Sequence, residues 1–281
     1  MELNRLALEH SNYYMQNAKV EAVLLGGSVS RNWQDKFSDI ELFIFWRENP
    51  TEEDRKRPIT LANGSIIDFH PYEEEEWSET YVAQCVKFEI SNFLTSTIQK
   101  ISNEVILEFD TDLNKQCLVA SVHEGIRLGG EQVIYQLKEQ IKGYPAELSK
   151  AMISQNMNLG NRWHNREALL AREDWLMLYK VIVSVQEKIM GILFGLNRVY
   201  VHHPAYKWQK KSLENMTVVP ENVVSRLTSI LLEHPEKGIR ELEVMIGEIF
   251  DLIQKEYPDM DVTEVREKTL FLRPENIMDV K

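Results

Sequence analysis

Hydrophobic and polar positions divide the chain into two halves of different character. From the N-terminus to about residue 140, short β-like runs alternate with helical stretches. Leu3, Leu6 and Tyr14 predict a first helix over about 2–18. Ala22-Val23-Leu24-Leu25 reads as a buried strand that ends at Gly26-Gly27, where positive φ costs little. Ser28 can then cap a short helix. Ile40 to Trp46 is a second strand, rich in β-branched and aromatic residues. A charged loop over 47–57 follows. Asn63-Gly64 is a hairpin signal, which predicts strands at Ile59 to Ala62 and Ser65 to His70.

From about 141 onward the pattern becomes helical. Leu178, Ile182, Val185, Ile189 and Leu193 lie on one helical face, as do Ile239, Leu242, Ile246, Ile249 and Ile253. Trp163, Trp175, Tyr179 and Phe194 fit helical core positions. Five prolines, from Pro145 to Pro258, punctuate this half. The expected architecture is α+β: a small mixed sheet with helices over 1–140, then an all-α bundle of about five helices over 141–281.

Charge narrows the function. The chain carries 32 basic and 44 acidic residues, a formal net charge of −12. An extended nucleic-acid-binding surface needs clustered Lys and Arg to neutralise phosphates, so the balance argues against one. Cys85 and Cys117 have neither metal-ligand nor disulfide spacing. No run reaches the roughly 20 apolar residues of a membrane span, and the N-terminus lacks a signal-peptide core. The expected compartment is the cytoplasm, with no membrane partner. There is no Gly-x-x-x-x-Gly-Lys-Ser/Thr phosphate loop.

The candidate chemistry lies in Leu24-Leu25-Gly26-Gly27-Ser28 and Asp39-Ile40-Glu41-Leu42. Asp39 and Glu41, two apart on a strand, share a face. Their carboxylates repel each other, and a hard divalent cation such as Mg²⁺ removes that penalty. The Gly-Gly-Ser turn offers backbone N–H groups to phosphates. Asp68 interrupts an apolar strand. If that strand lies beside the first, Asp68 completes a three-carboxylate cluster able to hold two metals. The run Glu73 to Glu76 reads first as a solvated loop or helix start. It is also the alternative source of a third carboxylate, or of a wall attracting a cationic acceptor.

Leu25-Gly26-Gly27-Ser28 and Asp39-Ile40-Glu41-Leu42, with eleven residues between Gly27 and Asp39, resemble the motif of the DNA polymerase β nucleotidyltransferase superfamily. The likeness is to the branch of aminoglycoside and lincosamide nucleotidyltransferases, which carry a helical C-terminal domain. Gly129-Gly130-Glu131 and Tyr144 to Leu148 resemble the join between domains in that branch. Arg172-Glu173-Asp174, Leu196 to Tyr200 and Lys207-Trp208 resemble its helical-domain signature.

The resemblance implies transfer of a nucleoside monophosphate, usually AMP from ATP, to an acceptor hydroxyl with release of pyrophosphate. Asp39, Glu41 and Asp68 would bind Mg²⁺, in a two-metal site, with Asp68 as ligand or general base. Gly27 and Ser28 would hold the β- and γ-phosphates, joined by Lys207. Asp174 would orient the acceptor. Glu41 departs from the Asp that many members carry there, and its extra methylene shifts metal placement slightly. The partners implied are a nucleotide and a small-molecule acceptor, such as a polycationic antibiotic, with a homodimer as one option. The alternatives are a protein-modifying AMP transferase and a nucleotide-binding regulatory protein without catalysis.

Overall fold

A computed structural model describes residues 2–274 and divides into two compact units, with the break between Tyr144 and Pro145. The first runs α1 (Glu2–Met15), β1 (Val20–Leu25), α2 (Gly27–Ser30), β2 (Ile40–Trp46), α3 (Glu52–Leu61), β3 (Ser65–Phe69), β4 (Trp77–Ala83), β5 (Val86–Leu94), α4 (Thr95–Leu107), α5 (Leu113–Glu124), β6 (Ile126–Gly129) and α6 (Glu131–Gln140). Its six strands form one mixed sheet in the order β3-β4-β5-β2-β1-β6. All neighbours are antiparallel except β2 and β5, which run parallel.

The sheet's two faces differ in chemistry. Ile40, Leu42, Ile44 and Trp46 of β2 join Phe88 and Ile90 of β5 on one face, where Leu6, Ala7 and Tyr14 of α1 close the core. Period-two alternation therefore sends Glu41 of β2 and Glu89 of β5 to the other face.

A charged network is sealed into the core side. Arg55 of α3 and Glu79 of β4 are both buried, and the Arg55 Nε donates to Glu79 at 2.8 Å. The remaining Glu79 oxygen accepts from Asn92 Nδ2 at 2.9 Å, and Asn92 Oδ1 accepts from Trp46 Nε1 at 2.9 Å. Arg55 Nη2 also donates to the His70 and Ser78 carbonyls. Each partner is satisfied, as a buried ion pair requires.

Several sequence expectations fail in this unit. Ile59 to Ala62 is the end of helix α3, not a strand. Thr51 and Asp54 form a reciprocal capping box, and three acids fill the first turn, so a helix starts where a loop was expected. Asn63, at φ 50°, then ends that helix rather than turning a hairpin. The hairpin that does exist joins β4 and β5 through Gln84 and Cys85, both at positive φ.

The second unit holds α7 (Ala146–Met157), a 3₁₀ turn (Trp163–Asn165), α8 (Arg166–Ala171), α9 (Trp175–Asn197), α10 (Gln209–Glu214), α11 (Val223–Leu232), α12 (Pro235–Glu256) and α13 (Thr263–Leu270). That is seven α-helices among the described residues, against about five expected, because short pieces such as α8 and α10 carry little periodicity. Helix α9 is central and packs on α7, α8, α11 and α12. Trp163 and Phe194 are core residues. Trp175 is not: it opens α9 at the surface, edge-on to His234. No helix of the described residues is long and apolar enough to cross a membrane.

Candidate functional site

The site in the first unit is built from the C-terminal end of β1 and the N-terminal ends of the parallel pair β2 and β5. Strand β1 stops at Leu25, and the Gly26 amide donates to the Glu41 carbonyl at 2.9 Å. Gly27 then takes φ +63°, and a side chain here would run into the Glu41 carboxylate. Glycine is therefore required twice over, by backbone conformation and by close approach. Ser28 is buried, and its hydroxyl donates to Ser38 at 3.2 Å, which ties the turn to the residue before Asp39.

Glu41 lies on the face away from the core, and Asp39, one residue before β2, reaches Lys87 of β5 on that side. Beside them, in parallel register, Glu41 pairs with Glu89. Lys87, two residues before Glu89 and on the same face, places its ammonium 3.4 Å from Asp39 and in a short ion pair with Glu89. Glu89 and Asp39 hold that ammonium above its usual pKa.

The structure does not bring Asp68 into this group. In register, Asp68 faces Thr80, Thr80 faces Glu89, and Glu89 faces Glu41. All four lie in one row across the sheet. At about 4.8 Å per strand, three spacings separate Asp68 from Glu41 by roughly 14 Å. One metal ion cannot span that distance, so Asp68 on edge strand β3 is not the third carboxylate of a cluster. The premise that β3 lies beside β2 fails because β4 and β5 are inserted between them. Nor are Glu73 to Glu76 a helix start: they form a tight turn, with Glu74 and Glu75 at positive φ and a bridge between Glu73 and Glu76. Burial raises the Glu76 carboxyl above its ordinary pKa, and a hydrogen bond with Ser91 offsets part of that rise.

Three residues that the motif reading left out belong to the site. Glu89 and Lys87 alternate along β5 with Val86, Phe88 and Ile90, and face away from the core. The third is Arg31. Its Nε pairs with Glu124 and its Nη1 donates to the Gly27 carbonyl at 3.2 Å, while its buried Nη2 has no hydrogen-bond partner. One guanidinium N–H is thus left unsatisfied beside the glycine turn, a cost that an acceptor reaching it would remove. Cys117 of α5 feels Arg31, Glu41 and Glu76. Burial, the largest influence, pushes its thiol up to about 11.

The donors suit Mg²⁺ in kind, because carboxylate oxygens are hard ligands and Mg²⁺ commonly takes only one or two with substrate phosphates and water. As the side chains stand, no three His, Cys, Asp or Glu residues among those described converge on one metal position. The Lys87 ammonium lies between two of the candidates.

Asp174 and Lys207 belong to the second unit. Asp174 precedes α9, is exposed, and accepts the Leu178 amide on its carbonyl at 2.9 Å. Lys207 is exposed in a loop between Tyr206 and Trp208, both at positive φ. Asn197, part of the same signature, fixes the loop after α10. Its side chain donates to the Val218 carbonyl and accepts from the Thr217 and Val218 amides.

Comparisons with known proteins add a fold-level context. A family model described as a domain of unknown function (DUF4037) matches residues 111–209. A crystal structure of a nucleotidyltransferase-like protein from Exiguobacterium sibiricum 255-15 is similar over 96% of this chain and 79% of that one. The identity is 13% and the TM-score 0.41. A likeness this distant says nothing of chemistry. No curated protein matches the chain.

Proposed function

We propose that the protein is a nucleotidyltransferase that moves a nucleoside monophosphate, AMP from ATP, onto a hydroxyl of a small-molecule acceptor. The observation that carries this reading is the Gly27 turn pressed against Glu41, with Asp39 beside it and Glu89 in register on the parallel strand.

In the transfer, the acceptor oxygen forms a bond to the α-phosphorus as the bond from that phosphorus to the α–β bridging oxygen breaks. Pyrophosphate leaves with the bond's electron pair. The acceptor proton needs a base, and Glu89, in register with Glu41, would take it. Ser28, the turn's amides and the spare Arg31 N–H meet phosphate oxygens. Asp39 and Glu41 would hold Mg²⁺, which when bound supplies charge neutralisation on the triphosphate. Such catalysis is mostly positioning and electrostatics. The net charge of −12 suits a polycationic acceptor, which it would steer toward the protein.

Lys87 favours one second reading. An ammonium between Asp39 and Glu89 already compensates their charge, as a nucleotide binder without catalysis would allow. Calorimetric titration of a non-hydrolysable ATP analogue, with and without Mg²⁺, separates the two. Mg²⁺-dependent binding that Asp39→Ala abolishes supports transfer. Binding indifferent to both metal and mutation supports the second reading, and no binding overturns both.

A further inference from the structure

The second unit contains a cavity that the proposed transfer does not use. It opens between the end of α7, the 158–162 loop and one face of α9, and has a volume of about 410 Å³. That is the size range of small-ligand sites. Leu159 is its half-buried apolar wall, with Trp163 and Val181 buried beneath, while Arg162, Lys180 and Lys188 supply its charge. No carboxylate lines it.

The arrangement follows from the helix. Lys180 and Lys188 lie eight residues apart on α9, two turns along one stripe, with Ser184 between them. Arg162 comes from the loop opposite. Like charges gathered on one cavity repel each other, whereas several other cations of this acidic chain sit in ion-pair clusters. Lys115 is held by Glu104 and Asp110, Arg226 by Glu241 and Glu248, and Arg240 by Glu167 and Glu243. Among the described residues none of the three cavity cations has an acidic partner. Lys188 does reach the Gln155 carbonyl at 3.5 Å, near the end of α7. That contact offsets the helix dipole and leaves further ammonium protons free.

We propose that this cavity binds a small organic phosphate. Its phosphate groups meet Arg162, Lys180 and Lys188, and its carbon skeleton rests on Leu159 and the aliphatic stems of the two lysines. A guanidinium takes two phosphate oxygens at once and ammonium groups act as point charges, so a ligand with two or more negative charges matches the rim. The apolar wall selects an organic ligand over the bare anion.

The test is calorimetric titration of ADP and of inorganic pyrophosphate into the full chain in EDTA, for wild type, Lys180→Ala/Lys188→Ala and Arg31→Ala. The expected result is ADP binding that weakens at least tenfold in the double variant, persists in Arg31→Ala, and exceeds pyrophosphate binding. Loss in Arg31→Ala with the double variant unchanged assigns the ligand to the first unit. That outcome overturns this proposal and leaves the transfer reading standing. No ADP binding to wild type also overturns it, and pyrophosphate binding as tight as ADP overturns the role of the wall.

Discussion

Glu41 and Glu89 face each other across the parallel strands β2 and β5, 48 positions apart in the chain. Asp68 lies in the same row but at the far edge of the sheet. Glu89→Gln and Asp68→Asn therefore separate two assignments of the base. Glu89→Gln is expected to lower pyrophosphate release by about 10²-fold or more, the usual scale for a general base. Asp68→Asn is expected to leave it within about twofold. The reverse order would restore Asp68 to the site.

Lys87 competes with any divalent cation for Asp39 and Glu89. Lys87→Ala is expected to tighten Mn²⁺ binding, read by paramagnetic resonance, by roughly five- to tenfold, a modest gain because the ammonium is half-exposed. Weaker Mn²⁺ binding in the variant would show that Lys87 helps to order the carboxylates instead.

Gly27→Ala tests the turn. The new methyl group meets the Glu41 carboxylate, and the backbone is held at φ +63°. Urea melts are expected to show a loss of about 1–3 kcal/mol, together with loss of nucleotide-analogue binding. An Ala variant that binds normally would mean the turn is not against the ligand.

The two thiols should react differently. Cys85 is exposed in the β4–β5 turn, while burial raises the thiol pKa of Cys117 to about 11. At neutral pH a disulfide reagent is expected to titrate one thiol quickly and the second only in denaturant, because the thiolate is the reactive form. Cys85→Ser should remove the fast phase. Two fast equivalents would contradict the placement of α5.

Glu79 gives the first unit a pH dependence. Burial pushes its carboxyl up to about 7, with Arg55 and Asn92 opposing, against about 4.3 in an unfolded chain. Between those values the folded state binds more protons, so this contribution is fully favourable below the lower value. It is lost as pH rises, by up to roughly 4 kcal/mol. His10, whose pKa burial lowers, works in the opposite direction. The comparison is thus wild type against Glu79→Gln. The drop in Tm between about pH 5 and about pH 7.5 should be smaller in the variant, and equal drops would refute the shift.

Much of this geometry was legible before the fold. The glycine turn and the Asp39–Glu41 pair depend on spacing within a single strand, and spacing is local. Glu89 was not found, because its strand pairing is non-local and its hairpin turn, Gln84-Cys85, lacks the glycine or asparagine that marks such turns. Asn63-Gly64 misled for the same reason in reverse. The dipeptide marks a break in direction, and the capping box at Thr51 decides that a helix precedes it.

The parallel pairing of β2 with β5 has a kinetic meaning as well. Parallel strands cannot be joined by a tight turn, and here α3, β3 and β4 intervene. The β4–β5 hairpin closes locally, whereas β5 meets β2 only after a long loop is drawn in, an intrinsically slow event. Completing the site therefore requires a long-range pairing. A ligand bridging Glu41 and Glu89 would act as a clamp on that pairing, slowing the unfolding of the whole sheet rather than of a single loop.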